Sequence, residues 1–162
     1  MKEHVLEALL NLGFPYKTID SNTFVFDYAD TRICYEYDEE SPRFLVFNLY
    51  GVFMNHSCSA EMQLDLMNEI NGIYRYVKLF KTGEAYSLSY QRKCSYEEIG
   101  QPLEDIIDHM LNFLISARYK VYDCLDKFRS DNGGGDETEE ESKEETQNES
   151  VDFSKQTKNE CA

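Results

Sequence analysis

The chain is short of basic residues. Its 162 positions hold 16 Lys and Arg against 31 Asp and Glu, for a formal net charge of −15. That shortage excludes the basic stripe that phosphate contacts need, so nucleic acid is not an expected partner. It also removes the clustered cations that dock proteins on anionic lipid. No stretch approaches the roughly 20 consecutive apolar residues of a membrane span. The opening segment MKEHVLEALLNLGF is interrupted by Glu7 and Asn11 and has no small-residue cleavage site, unlike a secretory signal. The five cysteines, Cys34, Cys58, Cys94, Cys124 and Cys161, are scattered, odd in number and without a C-x-x-C pair. Such usage fits reduced thiols in a cytoplasmic protein rather than a disulfide framework. There is no G-x-G-x-x-G, no Walker sequence and no internal repeat.

Charge is unevenly spread. Residues 130–162 carry 11 acids and 3 bases, net −8, while residues 1–129 carry 20 acids and 13 bases, net −7. The only bulky apolar side chains in the acidic segment are Val151 and Phe153, too few to offset the entropy of ordering it. The expected organisation is therefore a folded domain over 1–129 and a disordered acidic tail over 130–162. Gly133, Gly134 and Gly135 open that tail as a linker. Its first expected role is solvation, with partner binding the alternative.

What the folded part has in quantity is periodic apolar residues and tyrosine. Val5, Leu6, Leu9, Leu10 and Leu12 fall at helical spacing, closed by Gly13 and Pro15. Three strand-like runs follow: Thr23 to Tyr28, Thr31 to Tyr37 and Arg43 to Tyr50. Short links make them an antiparallel meander, and the third, apolar on both faces, is the more buried. Ser57 and Ser59 are candidate N-caps for a helix with Met62, Leu66, Ile70 and Ile73 on one stripe, ending near Asn71-Gly72. A hairpin joins Tyr74 to Lys81 with Ala85 to Arg92. Pro102 then opens a last helix to about Phe128, its seam formed by Leu103, Ile107, Met110, Leu114, Ala117, Val121, Cys124 and Phe128. Ile106, Leu111, Phe113, Ile115 and Tyr122 make that seam wider than one sheet face requires. The order α-β-β-β-α-β-β-α predicts an α+β two-layer sandwich, an antiparallel sheet with helices packed on it.

Two segments carry a family resemblance: LMNEINGIYRYVKLF (Leu66 to Phe80) and ARYKVYDCL (Ala117 to Leu125). With the element order, they make residues 1–128 similar to the YbjN family, described as candidate bacterial sensory transduction regulators. That family shares the fold of type III secretion chaperones. The resemblance implies a small acidic bacterial protein, often a homodimer, that acts by binding other proteins. The secretion chaperones themselves hold an extended effector segment. The acidic tail belongs to neither pattern.

Chemistry-bearing groups are sparse. His56 and Cys58 form an H-x-C pair, but a zinc site wants three or four ligands, and His4 and His109 lie on other helices. A Cys–His nucleophile lacks a nameable orienting group. Glu39-Glu40 and Glu97-Glu98 read as solvated turns rather than acid/base pairs. No metal, no cofactor and no catalytic residue is expected, and the chain is read as a non-enzymatic binder. The candidate protein-interaction surface is aromatic: Tyr28, Tyr35, Tyr37, Tyr74, Tyr76, Tyr86, Tyr90, Phe113 and Tyr122. Two placements are open. Either the strand tyrosines pack with their hydroxyls wet, or they line the sheet face that the helices leave bare. A base-stacking sheet is disfavoured by the charge and the absent RNP motifs. A secretion-type chaperone and an unrecognised small-ligand binder or enzyme are the remaining readings.

Overall fold

The computed structural model describes residues 1–94 and 101–132. Glu97, Glu98, Cys161 and the acidic segment from Gly133 onward lie outside the described residues. Helix α1 (Lys2–Asn11) buries Val5, Ala8 and Leu9. It ends in a Schellman pattern, with Gly13 N–H donating to Leu10 C=O (3.0 Å) and Phe14 N–H to Leu9 C=O (2.8 Å). Gly13 sits at φ +82, where a side chain would be strained.

The chain then forms β1 (Tyr16–Thr18), β2 (Thr23–Tyr28), β3 (Thr31–Glu36) and β4 (Phe44–Met54). After a one-turn 3-10 helix at Asn55–Ser57 come α2 (Ala60–Ile73), β5 (Val77–Thr82), β6 (Ala85–Lys93) and α3 (Leu103–Asn132). The strands make one antiparallel sheet in the order β1-β2-β3-β4-β6-β5. The α+β sandwich expected from the element order is the observed class. β1 was not expected: three residues behind a proline are too few to show a strand period. β4 occupies the interior of the sheet between β3 and β6, which accounts for its apolar residues on both faces.

Two local devices shape the sheet. β2 and β3 are joined by Ala29 (φ 47) and Asp30 (φ 56), the double positive φ of a type I′ hairpin, here without glycine. In β4 the register against β6 slips between Leu49 and Phe53, and Gly51 takes φ +68 at the bulge. Its N–H meets Ser87 Oγ at 3.4 Å.

α3 packs on the sheet and against both other helices. That explains the wide seam. Ile106, Leu111 and Ile115 are buried alongside Ile107, Met110, Leu114, Ala117 and Val121, because the helix meets three neighbours rather than one. Phe113 is the exception, left 42% exposed. α3 also runs past the expected stop at Phe128 and across the 129/130 boundary. Ser59 caps α2 as expected, accepting from Met62 N–H at 3.3 Å. Ile73, expected on the buried stripe, is instead 55% exposed where α2 ends at Tyr74. Among the described residues no helix is long and apolar enough to cross a membrane.

Candidate binding cleft

Strand alternation assigns the tyrosines to a face. Phe24, Phe26 and Tyr28 of β2 point the same way as Ile33 and Tyr35 of β3, Phe47 and Leu49 of β4, and Tyr86, Leu88 and Tyr90 of β6. Ring and hydrogen-bond contacts identify that face as the helix-covered one. Tyr28 OH donates to Asn112 Oδ1 of α3 at 2.8 Å. Tyr86 OH donates to Gln63 Oε1 of α2 at 2.8 Å, and its ring stacks on Phe53 at 4.5 Å. Tyr35 is fully buried between Phe24 and Phe47. Tyr37 lies beneath the Lys2 ammonium of α1.

This corrects the expectation for four candidates. Tyr35 and Tyr86 are buried, and Tyr28 and Tyr37 are half-buried against the domain's own helices. Tyr28 and Tyr86 have their hydroxyls bonded inside the fold, while the Tyr35 hydroxyl is buried without a hydrogen-bond partner among the described residues and Tyr37 packs under Lys2, so these rings serve the domain's own packing. Tyr122 is also engaged locally, accepting from Arg118 Nε at 3.0 Å beside the β4 bulge. The bare sheet face carries Tyr50 instead, with Phe44 and Met54 exposed beside it on β4. Tyr50 OH donates to Glu36, and burial followed by that bond pushes its pKa up.

The other four candidates converge. Tyr74, Tyr76, Tyr90 and Phe113 line one cleft of about 350 Å³ with Ile73, Arg75, Val77, Arg92 and His109. Three parts of the chain build it: the α2–β5 link, β6 and the first turns of α3. Tyr76 stacks on Tyr90 (centroids 6.0 Å, planes 17° apart). Phe113 meets Tyr90 edge-on at 6.4 Å, and His109 lies 4.7 Å from Phe113. Tyr90 is the buried floor; Tyr76 (46%), Phe113 (42%) and Ile73 form an exposed apolar rim. Burial raises the Tyr90 pKa and Arg92 opposes that rise, which places the guanidinium near the phenol. The Arg75 guanidinium sits 5.5 Å above the Tyr76 ring.

Among the described residues, no side chain lining the cleft is acidic. Neither arginine takes part in an ion pair among the described residues, whose bridges join Arg32 to Asp27, Lys120 to Glu69 and Arg129 to Asp126. On a chain of net charge −15, this is a local reversal of sign. The sequence pointed to the aromatics, and to His109 as a possible pocket residue, but not to Ile73, Arg75 and Arg92. Only the alternation of β6 could have hinted that Arg92 follows Tyr90 onto the covered face.

Among the described residues, the thiols show no activation. Burial pushes Cys58, Cys94 and Cys124 up, and Cys34 to about 12, where the Glu36 carboxylate adds to the effect. His56 is exposed in the 3-10 turn, with Cys58 half-buried just after it. Among the described residues no three His, Cys, Asp or Glu side chains are grouped to hold a metal ion.

Fold and cleft together define an antiparallel α+β sandwich with an aromatic, arginine-flanked groove at one end of the sheet. No protein-family model matches the sequence, and no curated protein matches it. Among solved structures, the chain is similar to YbjN from E. coli, described as a candidate transcription regulator. The two share 10% identity over 82% of this chain and 93% of that one, with a TM-score of 0.48. A likeness of this degree transfers no residue roles.

Proposed function

We propose that the protein is a non-enzymatic protein-binding module whose cleft takes an acidic segment bearing an aromatic or branched apolar side chain. The observation that carries this reading is the pairing of an aromatic floor and rim with two arginines that lack carboxylate partners among the described residues. Aromatic and arginine residues dominate interface energetics, and arginine binds carboxylates through charge-assisted, often bidentate hydrogen bonds. The raised pKa values of the described thiols support a role other than nucleophilic catalysis.

Fluorescence polarisation with a labelled Glu-Asp-Phe-Asp-Glu peptide and its Lys-for-acid counterpart tests the reading. The acidic peptide is expected to bind, with Arg92→Glu weakening it by at least about tenfold. Equal binding of both peptides, or of neither, overturns the reading. The cleft volume favours a second reading, a small aromatic anion, since about 350 Å³ lies within the range of small-ligand sites.

The wide seam of the last helix lends homodimerisation no support, because α1, α2 and the sheet cover it. The bare sheet face with Phe44, Tyr50 and Met54 still supports it. Light scattering at high micromolar concentration distinguishes a 19.0 kDa monomer from a dimer.

A further inference from the structure

We infer that the cleft is occupied in cis by the chain's own segment Glu149-Ser150-Val151-Asp152-Phe153, which competes with any outside partner. This rests on the reading of the cleft as an acidic-segment site. The chemistry is complementary group by group. Glu149 and Asp152 supply carboxylates for Arg75 and Arg92, while Val151 and Phe153 are the only bulky apolar side chains of residues 130–162. They therefore form the one place in the acidic segment where carboxylates flank apolar anchors of the kind that the Ile73, Tyr76 and Phe113 rim accepts.

Distance permits the contact. Nineteen residues of α3 separate Phe113 from Asn132, about 28 Å at the helical rise. Nineteen more lead from Asn132 to Val151. A chain of that length reaches about 60 Å fully extended and has a random-coil r.m.s. span of about 24 Å. Span and separation match, the condition under which effective concentration is greatest, of millimolar order for a short linker. A segment with an intrinsic dissociation constant near 0.1 mM would then fill the cleft most of the time. Outside peptide would bind about tenfold more weakly than to an emptied cleft.

The test uses the full chain with the photoreactive analogue p-benzoylphenylalanine in place of Phe153, irradiated at low micromolar concentration and mapped by mass spectrometry. Intramolecular products at residues 73–77 and 109–113 are expected, falling at least about tenfold in the Glu149→Lys/Asp152→Lys variant, which leaves the cleft residues untouched. The same variant without the photoprobe should bind Glu-Asp-Phe-Asp-Glu about tenfold more tightly than the wild type. Products scattered over the domain, products only between chains, or products indifferent to the charge reversal overturn the inference. If the peptide binds wild type and variant equally, the cis contact is wrong but the cleft reading stands. If it binds neither, both fall.

Discussion

Asn71, on the last turn of α2, holds the backbone of Leu79 from both sides. Its Oδ1 accepts the Leu79 N–H at 2.7 Å, and its Nδ2 donates to the Leu79 C=O at 3.1 Å. Leu79 lies on β5, an edge strand of the sheet, so one side chain stands in for the strand that would otherwise pair there. Lys78 adds to the closure, its ammonium donating to the carbonyls of Asn71 and Tyr74 at the end of α2.

Asn71→Leu should therefore cost roughly 1–3 kcal/mol, the penalty for leaving part-buried backbone groups unsatisfied. It should also promote association through the opened edge. Urea midpoints and light scattering read the two effects. A variant as stable and as monodisperse as the parent would mean that Asn71 is not the seal.

The β2–β3 turn offers the opposite change. Ala29 and Asp30 both have positive φ, which costs a non-glycine residue roughly 1–2 kcal/mol. The double substitution Ala29→Asn/Asp30→Gly installs the pair that a type I′ turn prefers. It should raise stability by about 0.5–1.5 kcal/mol, after the greater unfolded-state freedom of glycine is subtracted. Thermal denaturation checks the sign.

Neighbouring positions on α3 should separate stability from binding. Leu114 is fully buried, so Leu114→Ala is expected to cost about 2–5 kcal/mol. Phe113→Ser removes an exposed ring with one edge-on contact to Tyr90, and should cost less than about 1.5 kcal/mol. Acidic-peptide binding should nevertheless fall in Phe113→Ser. Retained binding would remove Phe113 from the site.

Acid should weaken one link between the helices. Glu69 of α2 is held below its ordinary pKa, first by a hydrogen bond from Cys124 and then by Lys120, whose ammonium is 3.1 Å away. A carboxyl depressed in the folded state contributes stability above its unfolded value near 4.5 and loses it as pH falls through the lower folded value. The stability gap between wild type and Glu69→Gln should be widest near neutrality and close in acid. A gap independent of pH would assign Glu69 no electrostatic role.

The sequence made some features legible because they are local. The helix stop at Gly13, the cap at Ser59 and the interior character of β4 each follow from residues within a few positions of one another. Which sheet face the tyrosines occupy was not legible. Alternation groups Tyr35 with Ile33, but says nothing about where the helices lie until Asn112 and Gln63 are brought over the sheet. The cleft suffered most from this limit. Tyr76 and Arg92 flank the two arms of the β5–β6 hairpin, which the sequence did suggest, but His109 and Phe113 reach them only through the packing of α3, so the groove itself emerges only in three dimensions. The width of the last helix was legible but not its meaning: an apolar stripe reports how many neighbours a helix has, not whether they belong to its own chain.

Because α3 touches α1, α2 and the sheet, lifting it would uncover most of the apolar core at once. Amide exchange around Met110 to Val121 should therefore require global opening, with the same free energy as denaturant unfolding.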